Sequence, residues 1–412
     1  MDSACELPYG RFGSERPPVV LLGGLNVLRA LGLANIPAIV ASCARDEPAF
    51  ASRYCGAALR LPAFENQRTV LDALLQAGEG LFRQLGRRVP LFYSNDTWQR
   101  LVQDHRAELG ERYLLLLNEP SVADALIEKD RFQTLALERG LPIPRTLAWE
   151  SLERIAGPVL VKPRAKFGAH SAAARVRFFG EHGKARIYES GPALLADLAA
   201  RQLREEMVIQ EYIGGGDREI WSFHGFADEE GRLLDWFVGR KIRTFPAFTG
   251  ESTCVELAHD AELGELGPRL AAALGLKGVF KIDLKREPRT GRLRVLEVNA
   301  RYNLWHYLGA ANGLNLTLTA YDYLVHGTRP DAPRPYRTTH RWVHLQHDWA
   351  AYRELAARGE LDFRQWLASL AGPKVGQLFS WRDPLPAFYR IYHLKSRLRL
   401  SRALTRWLST AS

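Results

Sequence analysis

The chain has 412 residues, more than one hydrophobic core usually serves, so two or three domains are expected. Hydrophobic residues make up 46% and charged ones 25%, which excludes disordered and collagen-like classes, and no apolar run is long enough for a membrane span. The net charge is +10, but it is unevenly spread. From Pro384 onward there is no Asp or Glu, and Arg390, Lys395, Arg397, Arg399, Arg402 and Arg406 contribute +6. Met1 to Pro18 lacks the apolar segment of a secretory leader, and Cys5, Cys43, Cys55 and Cys254 show no paired spacing, a pattern that predicts a reducing, cytoplasmic setting.

Taken in chain order, Pro17–Leu22 reads as an apolar strand running into Gly23-Gly24, then a helix over Leu25–Leu33 and a second strand at Ala38–Ala41. Strand, glycine turn, helix and strand make a βαβ unit of a parallel sheet. A helix over Thr69–Arg83 leads to a strand at Val89–Tyr93. The polar loop Ser94-Asn95-Asp96 follows, at the end of the sheet where open α/β folds bind ligands, so Asn95 and Asp96 are candidate substrate contacts. A helix is predicted over Val122–Arg139, stopped by Gly140, Pro142 and Pro144. The texture then turns to α+β. Strands are predicted at Pro158–Lys162, Met207–Ile213, Glu219–Ala227, Leu233–Lys241, Val279–Lys285 and Leu293–Asn299, with helices at Pro192–Glu205 and Glu262–Leu274 between them. A Pro- and Arg-rich linker, Gly327–Arg337, precedes an aromatic C-terminal region. These breaks divide the chain into 17–120, 121–213, 214–327 and 328–412.

The most informative stretch is GVFKIDLKREPRTGRLRVLEVNARYN, Gly278 to Asn303. Period-two alternation puts Lys281 and Asp283 on one face of the outgoing strand, and Glu297 and Asn299 on one face of the returning strand. A turn centred near Thr290 makes Asp283 and Glu297 cross-strand neighbours, with Cβ atoms about 5 Å apart. Two carboxylates that close repel unless a cation lies between them, and hard oxygen ligands suit Mg²⁺ completed by substrate phosphates. The alternative is a hairpin with a solvated polar face, against which Glu297 and Asn299 stand among Val295, Leu296 and Val298. In a second stretch, a strand delivers Lys162 to a turn of small residues that includes Gly168, Ala169, Ser171 and Ala172. Such a turn lets backbone N–H groups approach an anion, although a basic hairpin turn has the same composition. A third strand, MVIQEYI, ends at Gly214-Gly215-Gly216, a hinge or a loose hairpin.

In this order the segments resemble the ATP-grasp superfamily from about Val19 to His326. The resemblance implies an ATP-grasp fold, α/β plus α+β, with an N-terminal parallel-sheet pre-ATP-grasp domain and a C-terminal helical extension. It makes Lys129 the first ATP lysine and Lys162 the second, with Ser171 in the phosphate cover. Glu211, Tyr212 and Ile213 resemble the inter-lobe strand that holds adenine, Glu219 the ribose-binding acid, and Asp283, Glu297 and Asn299 the Mg²⁺ ligands. Within the superfamily, Ser52-Arg53-Tyr54-Cys55, Arg301-Tyr302-Asn303-Leu304-Trp305-His306 and Asp383-Pro384-Leu385-Pro386 look like features of the carboxylate–amine ligase, or carboligase, branch. Members of that branch phosphorylate a carboxylate with ATP and Mg²⁺ (Mn²⁺ is the alternative ion), then pass the acyl group to an amine. The partners implied are thus small carboxylates and amines. Lys281 would stabilise the transferred group, Arg301 would hold the acceptor carboxylate, and Arg243, in the basic run Arg240-Lys241-Ile242-Arg243, would contact phosphate or acceptor.

Three other readings were weighed. An NADP-dependent oxidoreductase would use the Val19–Ala41 unit with Arg45 on a 2′-phosphate, but Gly23-Gly24 does not continue as G-x-G-x-x-G. Zinc at His340, His344 and His347 needs a helix, whereas Trp342–Gln346 reads as a strand with His347 on the opposite face. In the tail, Lys395, Arg399, Arg402 and Arg406 would form one basic stripe on a helix. That stripe suits a terminal helix packed on the enzyme, a peripheral membrane contact or a nucleic-acid contact, the last being the least expected.

Overall fold

The computed structural model describes residues 12–164, 178–180 and 184–389. The small-residue turn with Ser171 and the basic stretch from Arg390 onward lie outside these residues.

The N-terminal part is a parallel α/β sheet. Strands β1 (Val19–Leu22), β2 (Ala38–Ser42), β3 (Ala57–Arg60), β4 (Val89–Tyr93) and β5 (Tyr113–Leu114) stand in the order β3-β2-β1-β4-β5. β1 joins β2 through α1 (Leu25–Leu33), which is the predicted βαβ unit. Gly23 and Gly24 have φ of 70° and 88°, where a side chain is strained, and a Cβ on Gly24 would lie 2.6 Å from Ser94 Oγ. The glycine turn therefore lets the chain cross close over the end of β4. Helix α2 (Gln67–Leu85) starts on Asn66, whose side chain accepts from Thr69 N, and buries Val70, Leu74 and Leu81 against the sheet. Asn95 caps α3 (Asp96–Asp104) in the same way, accepting from Trp98 N at 2.9 Å. The short strand β3 between two polar loops was not anticipated.

The helix expected over Val122–Arg139 is two, α4 (Pro120–Ile127) and α5 (Lys129–Glu138), because Glu128 leaves the helical region with ψ 120°. Next comes a small antiparallel sheet, β7-β6-β8, from β6 (Val159–Pro163), β7 (Arg186–Tyr188) and β8 (Met207–Glu211). Between β7 and β8 the single helix expected over Pro192–Glu205 is likewise divided into Gly191–Ala196 and Leu198–Gln202, since Asp197 turns out of the helix and caps the second piece.

The large sheet has the order β13-β12-β9-β10-β11-β14-β15. Its strands are β9 (Ile220–Ala227), β10 (Leu233–Phe245), β11 (Glu251–Leu257), β12 (Gly278–Arg286), β13 (Leu293–Asn299), β14 (Arg341–Val343) and β15 (Lys374–Gly376). It is antiparallel apart from the pair β14–β15.

The packing divides the chain differently from the boundaries drawn on the sequence. Helices α4 and α5 bury Val122, Leu126, Phe132 and Ala136 in the same core as Phe223, Phe280 and Val298 of the large sheet, so they do not belong to the small lobe. That lobe has its own core of Leu152, Val159, Val161, Leu194, Met207 and Ile209. The segment after residue 328 is not an appendage: β14 pairs with β11, and the next helices cover the sheet. Helix α1 of the first sheet shares a core with Phe237, Trp305, Tyr321 and Trp342, so the N-terminal domain and the large lobe are one packed body. Each large side chain fully buried there contributes about 2–3 kcal/mol.

Candidate active site

Between the small lobe and this body lies a cleft of about 720 Å³. Its floor is built by strand alternation. The expected register holds, with Asp283 opposite Glu297 and Lys281 opposite Asn299, and on the other side Ser222 of β9 faces Asp283. A bulge at Leu296 follows the Asp283–Glu297 pair. Asp283 is 2% exposed. Its Oδ2 takes Lys281 Nζ at 2.5 Å, and its Oδ1 accepts a short bond from Ser222 Oγ. Asn299 Nδ2 donates to Glu297 Oε1 at 3.2 Å. Two carboxylates and an amide oxygen thus converge on one patch. The donor set is hard and anionic, as a magnesium ion requires. Among the described residues no group of three His, Cys, Asp or Glu side chains is placed to hold a metal, so any ion here rests on the two acids and the amide.

The opposite wall is shared, with β6 from the small lobe and the start of α5 from the larger body. Lys162 on β6 and Lys129 at the start of α5 both line the cleft. Burial lowers the pKa of Lys162, and Glu297 and Asp283 offset this only in part; Lys281 is lowered for the same first reason. Desolvated ammonium groups facing an open cleft are poised to take an anion. Glu211, Tyr212 and Ile213 line the hinge side. Burial favours protonation of the Glu211 carboxyl, but Arg145 outweighs it by donating its N–H at 3.0 Å and its Nε at 2.8 Å, so Glu211 is held below the usual range. Its carboxylate is therefore engaged, and the backbone of this strand is what it offers a ligand.

Arg301 joins the two halves of the floor. Its Nε meets Asp96 Oδ1 at 2.5 Å, and its Nη2 donates to Asn299 Oδ1 at 3.3 Å. Asp96 and Asn95, expected at the end of the first sheet, thus reach the cleft.

Two expected residues do not line the cleft. Arg243 is 3% exposed, with Nε and Nη2 on the two oxygens of Asp348 at 2.8 and 2.7 Å and Nη1 on Ser369 Oγ at 2.7 Å. Register shifts on either side of Arg243 turn it away from the face that carries Lys241, and Lys241 takes the cleft position instead. Glu219 ends a 3₁₀ turn, Asp217–Glu219, and stays beside the cleft. Its neighbour Asp217 is buried and accepts from Thr244 N, Thr244 Oγ1 and Phe248 N. The histidines expected on a strand are also placed differently. His344 caps the helix Leu345–Ala357 by accepting from His347 N, and the two rings stack at 4.0 Å.

Several residues in or beneath the cleft were missed by sequence reasoning. Ser222 lies on an unremarkable strand, and only the register with Asp283 reveals it. Lys285 continues the alternation of Lys281 and Asp283, which was a signal in plain view. Its Nζ lies 4.7 Å from the centre of the Tyr212 ring and donates to Gly215 O at 2.8 Å, and burial brings its pKa down to about 8. Lys184 pairs with Glu251 at 3.3 Å on the far wall.

No protein-family model matches the chain. Among characterised proteins, D-aspartate ligase of Enterococcus faecium is 22% identical over 271 residues, 62% of this chain and 63% of that protein. The C-terminal section of the carbamoyl phosphate synthase large chain of Methanopyrus kandleri is 27% identical over 210 residues, 47% of this chain and 36% of that protein. In both cases the chain spans less than two thirds of the relative's length. Among solved structures, a biotin carboxylase from Campylobacter jejuni superposes with a TM-score of 0.58 at 13% identity, covering 79% of this chain and 74% of that one. The chain has the ATP-grasp fold. An L-amino acid ligase from Bacillus licheniformis (TM-score 0.53, 14% identity, 75% and 74% covered) shares this architecture. So does N5-carboxyaminoimidazole synthetase from Staphylococcus aureus in its ADP complex (0.55, 13%, 77% and 79%). No described helix is long and apolar enough to cross a membrane.

Proposed function

We propose that this chain is an ATP-dependent ligase that phosphorylates a small carboxylate and joins the resulting acyl group to an amine, with ADP and phosphate as the other products. The observation that carries this reading is the pairing of Asp283 with Glu297 across the hairpin, facing Lys162 over the cleft. Likeness to D-aspartate ligase and to an L-amino acid ligase supports it.

In this reading ATP lies between the lobes, with its base against the Glu211–Ile213 backbone and its phosphates on Lys129 and Lys162. Asp283, Glu297 and Asn299 would hold Mg²⁺, which when bound supplies charge neutralisation at the phosphate oxygens. The rest of the chemistry is positioning. The carboxylate oxygen attacks the terminal phosphorus, and the bond to the ADP oxygen breaks. The amine then attacks the acyl carbon, loses a proton, and phosphate leaves. Lys281 is placed to meet the transferred phosphoryl group. Arg301, held by Asp96, Asn299 and the Ser94 and Tyr302 carbonyls, lines the cleft, where its charge and second Nη2 N–H would meet a substrate carboxylate.

A second chamber of about 270 Å³ opens from the cleft past Ser252 and Asn303, walled by Gly24, Asn26, His344 and His347. Taking about 30 Å³ per water molecule, it has room for a small second substrate. Free thiols at Cys43, Cys55 and Cys254 suit a reducing compartment. Titration with Mg·ADP tests the nucleotide site. Wild type should bind saturably, and Lys162→Ala should weaken binding by about tenfold or more. Preference for NADPH over Mg·ADP would favour the oxidoreductase reading instead.

A further inference from the structure

The segment Phe379–Phe388 exposes more apolar surface than its packing requires. Trp381 is 90% exposed, Leu385 and Phe388 are each 58% exposed, and Phe379 is 40% exposed. Isolated exposed apolar side chains are ordinary, but four within ten residues make a patch. The patch sits on a fixed mount. Asp383, 1% exposed, accepts from Arg29 Nε at 2.9 Å, Ser52 Oγ at 2.8 Å and Arg53 N at 3.0 Å. Arg29 also donates to the carbonyls of Gly376, Gln377 and Leu378. The clamp holds the turn against α1 and leaves the rings of Phe379 and Trp381 outside, packed edge to face at 4.8 Å. Leu385 and Phe388, three residues apart in a helical turn, share one face.

Arginines border the patch. Arg382 is exposed, and so is Arg53, whose Nη1 donates to the Arg382 carbonyl at 3.4 Å. The carbonyl of exposed Arg45 receives Tyr389 Oη at 3.4 Å, which brings a third arginine to the segment. From Phe379 to Tyr389 the one acidic residue is Asp383, and it is buried and paired. The sequence then continues to Ser412 with six Lys and Arg, no Asp or Glu, and Ile391, Leu394, Leu398, Leu404 and Leu408.

We propose that this face docks the protein on an anionic lipid surface. Trp381, Leu385 and Phe388 enter the boundary between headgroups and acyl chains, while Arg45, Arg53 and Arg382 meet the phosphates. Aromatic and aliphatic side chains beside arginines are the composition of interfacial anchors, and each basic residue near an anionic surface strengthens the attraction. Leucines beside the aromatics favour hydrocarbon over stacked bases as the apolar partner. This inference is independent of the ligase reading.

The test is sedimentation of the full chain with phosphatidylcholine vesicles, with and without phosphatidylglycerol. The protein should pellet with the anionic vesicles only, and high salt should release it. Trp381→Ala combined with Phe388→Ala should weaken the association by about tenfold, and replacing Arg53 and Arg382 by Gln should weaken it separately. Melting curves of both variants should match wild type, since the substituted residues in the described part are exposed. Four outcomes overturn the proposal: no pelleting with anionic vesicles, equal pelleting of the aromatic variant, binding to an RNA homopolymer that displaces the vesicles and ignores Trp381, or a dimer that Trp381→Ala dissolves.

Discussion

Both oxygens of the Asp283 carboxylate are held by partners. It is nearly inaccessible to water, and its oxygens are shared between Lys281 and Ser222. A buried carboxylate so close to a second one, Glu297, costs several kcal/mol unless cations compensate, and the lysines of both walls supply that compensation. Arg301 shows the same logic across domains, since Asp96 and Asn299 fix the plane of its guanidinium. Asp96→Asn should therefore loosen Arg301 and raise KM for the carboxylate substrate about tenfold, with Mg·ADP affinity unchanged in a binding titration. His306 makes a separate prediction. Burial drops its pKa to about 4, with the Asn303 backbone opposing that shift, so below the usual value of 6.5 the unfolded chain takes up a proton that the folded one refuses. Its contribution, about 3 kcal/mol, is complete above pH 6.5 and is lost as pH falls toward 4. Urea unfolding at about pH 7 and about pH 5 should show that loss, and His306→Gln should flatten it. The Asp283–Glu297 pairing was legible because strand alternation and one turn position determine it. Ser222, and the pairing of the already expected Asp96 with Arg301, were harder to see, because their partners are distant in sequence.

At the level of elements, periodicity located most strands and failed where a single residue broke it. Glu128 and Asp197 each end one helix and start another, and nothing in helical spacing marks either. The register shifts around Arg243 have the larger consequence. Alternation puts Lys241 and Arg243 on one face, but the extra residues rotate Arg243 into the core, where Asp348 and Ser369 hold it. Trp366 Nε1 and Thr253 Oγ1 also donate to Asp348, so one carboxylate ties β10, β11 and two C-terminal helices together. Asp348→Ala would leave a buried guanidinium uncompensated and should destabilise the protein by about 3–5 kcal/mol in denaturant unfolding, far beyond a surface substitution. If its unfolding midpoint matches wild type, the structural role assigned to this pair is wrong. Gly239 makes a related point about legibility. A Cβ there would lie 2.2 Å from the Trp305 ring, a close approach that a glycine inside a strand can signal but cannot locate.

Over the whole molecule, two bodies enclose the cleft. One combines the N-terminal sheet, the large sheet and the C-terminal strands, and the other is the small lobe with its own core. The sequence showed the order of parts but not this grouping. Shared cores are made by residues far apart along the chain, such as Leu28 with Trp305 and Trp342, or Ser52 with Asp383. The stretches Ser52–Cys55 and Asp383–Pro386 meet where Ser52 Oγ and Arg53 N bond the buried Asp383 carboxylate. The small lobe brings Lys162 to the cleft that Asp283 and Glu297 of the other body also line, so the proposed phosphate site needs both bodies. The measurement that tests this account most directly is phosphorus NMR of the products from ATP, Mg²⁺ and a panel of small acids and amines, run with wild type and Glu297→Gln. The account predicts ADP and phosphate from wild type only when an acid and an amine are both present, and none from the variant. AMP and pyrophosphate, or full turnover by Glu297→Gln, would contradict it.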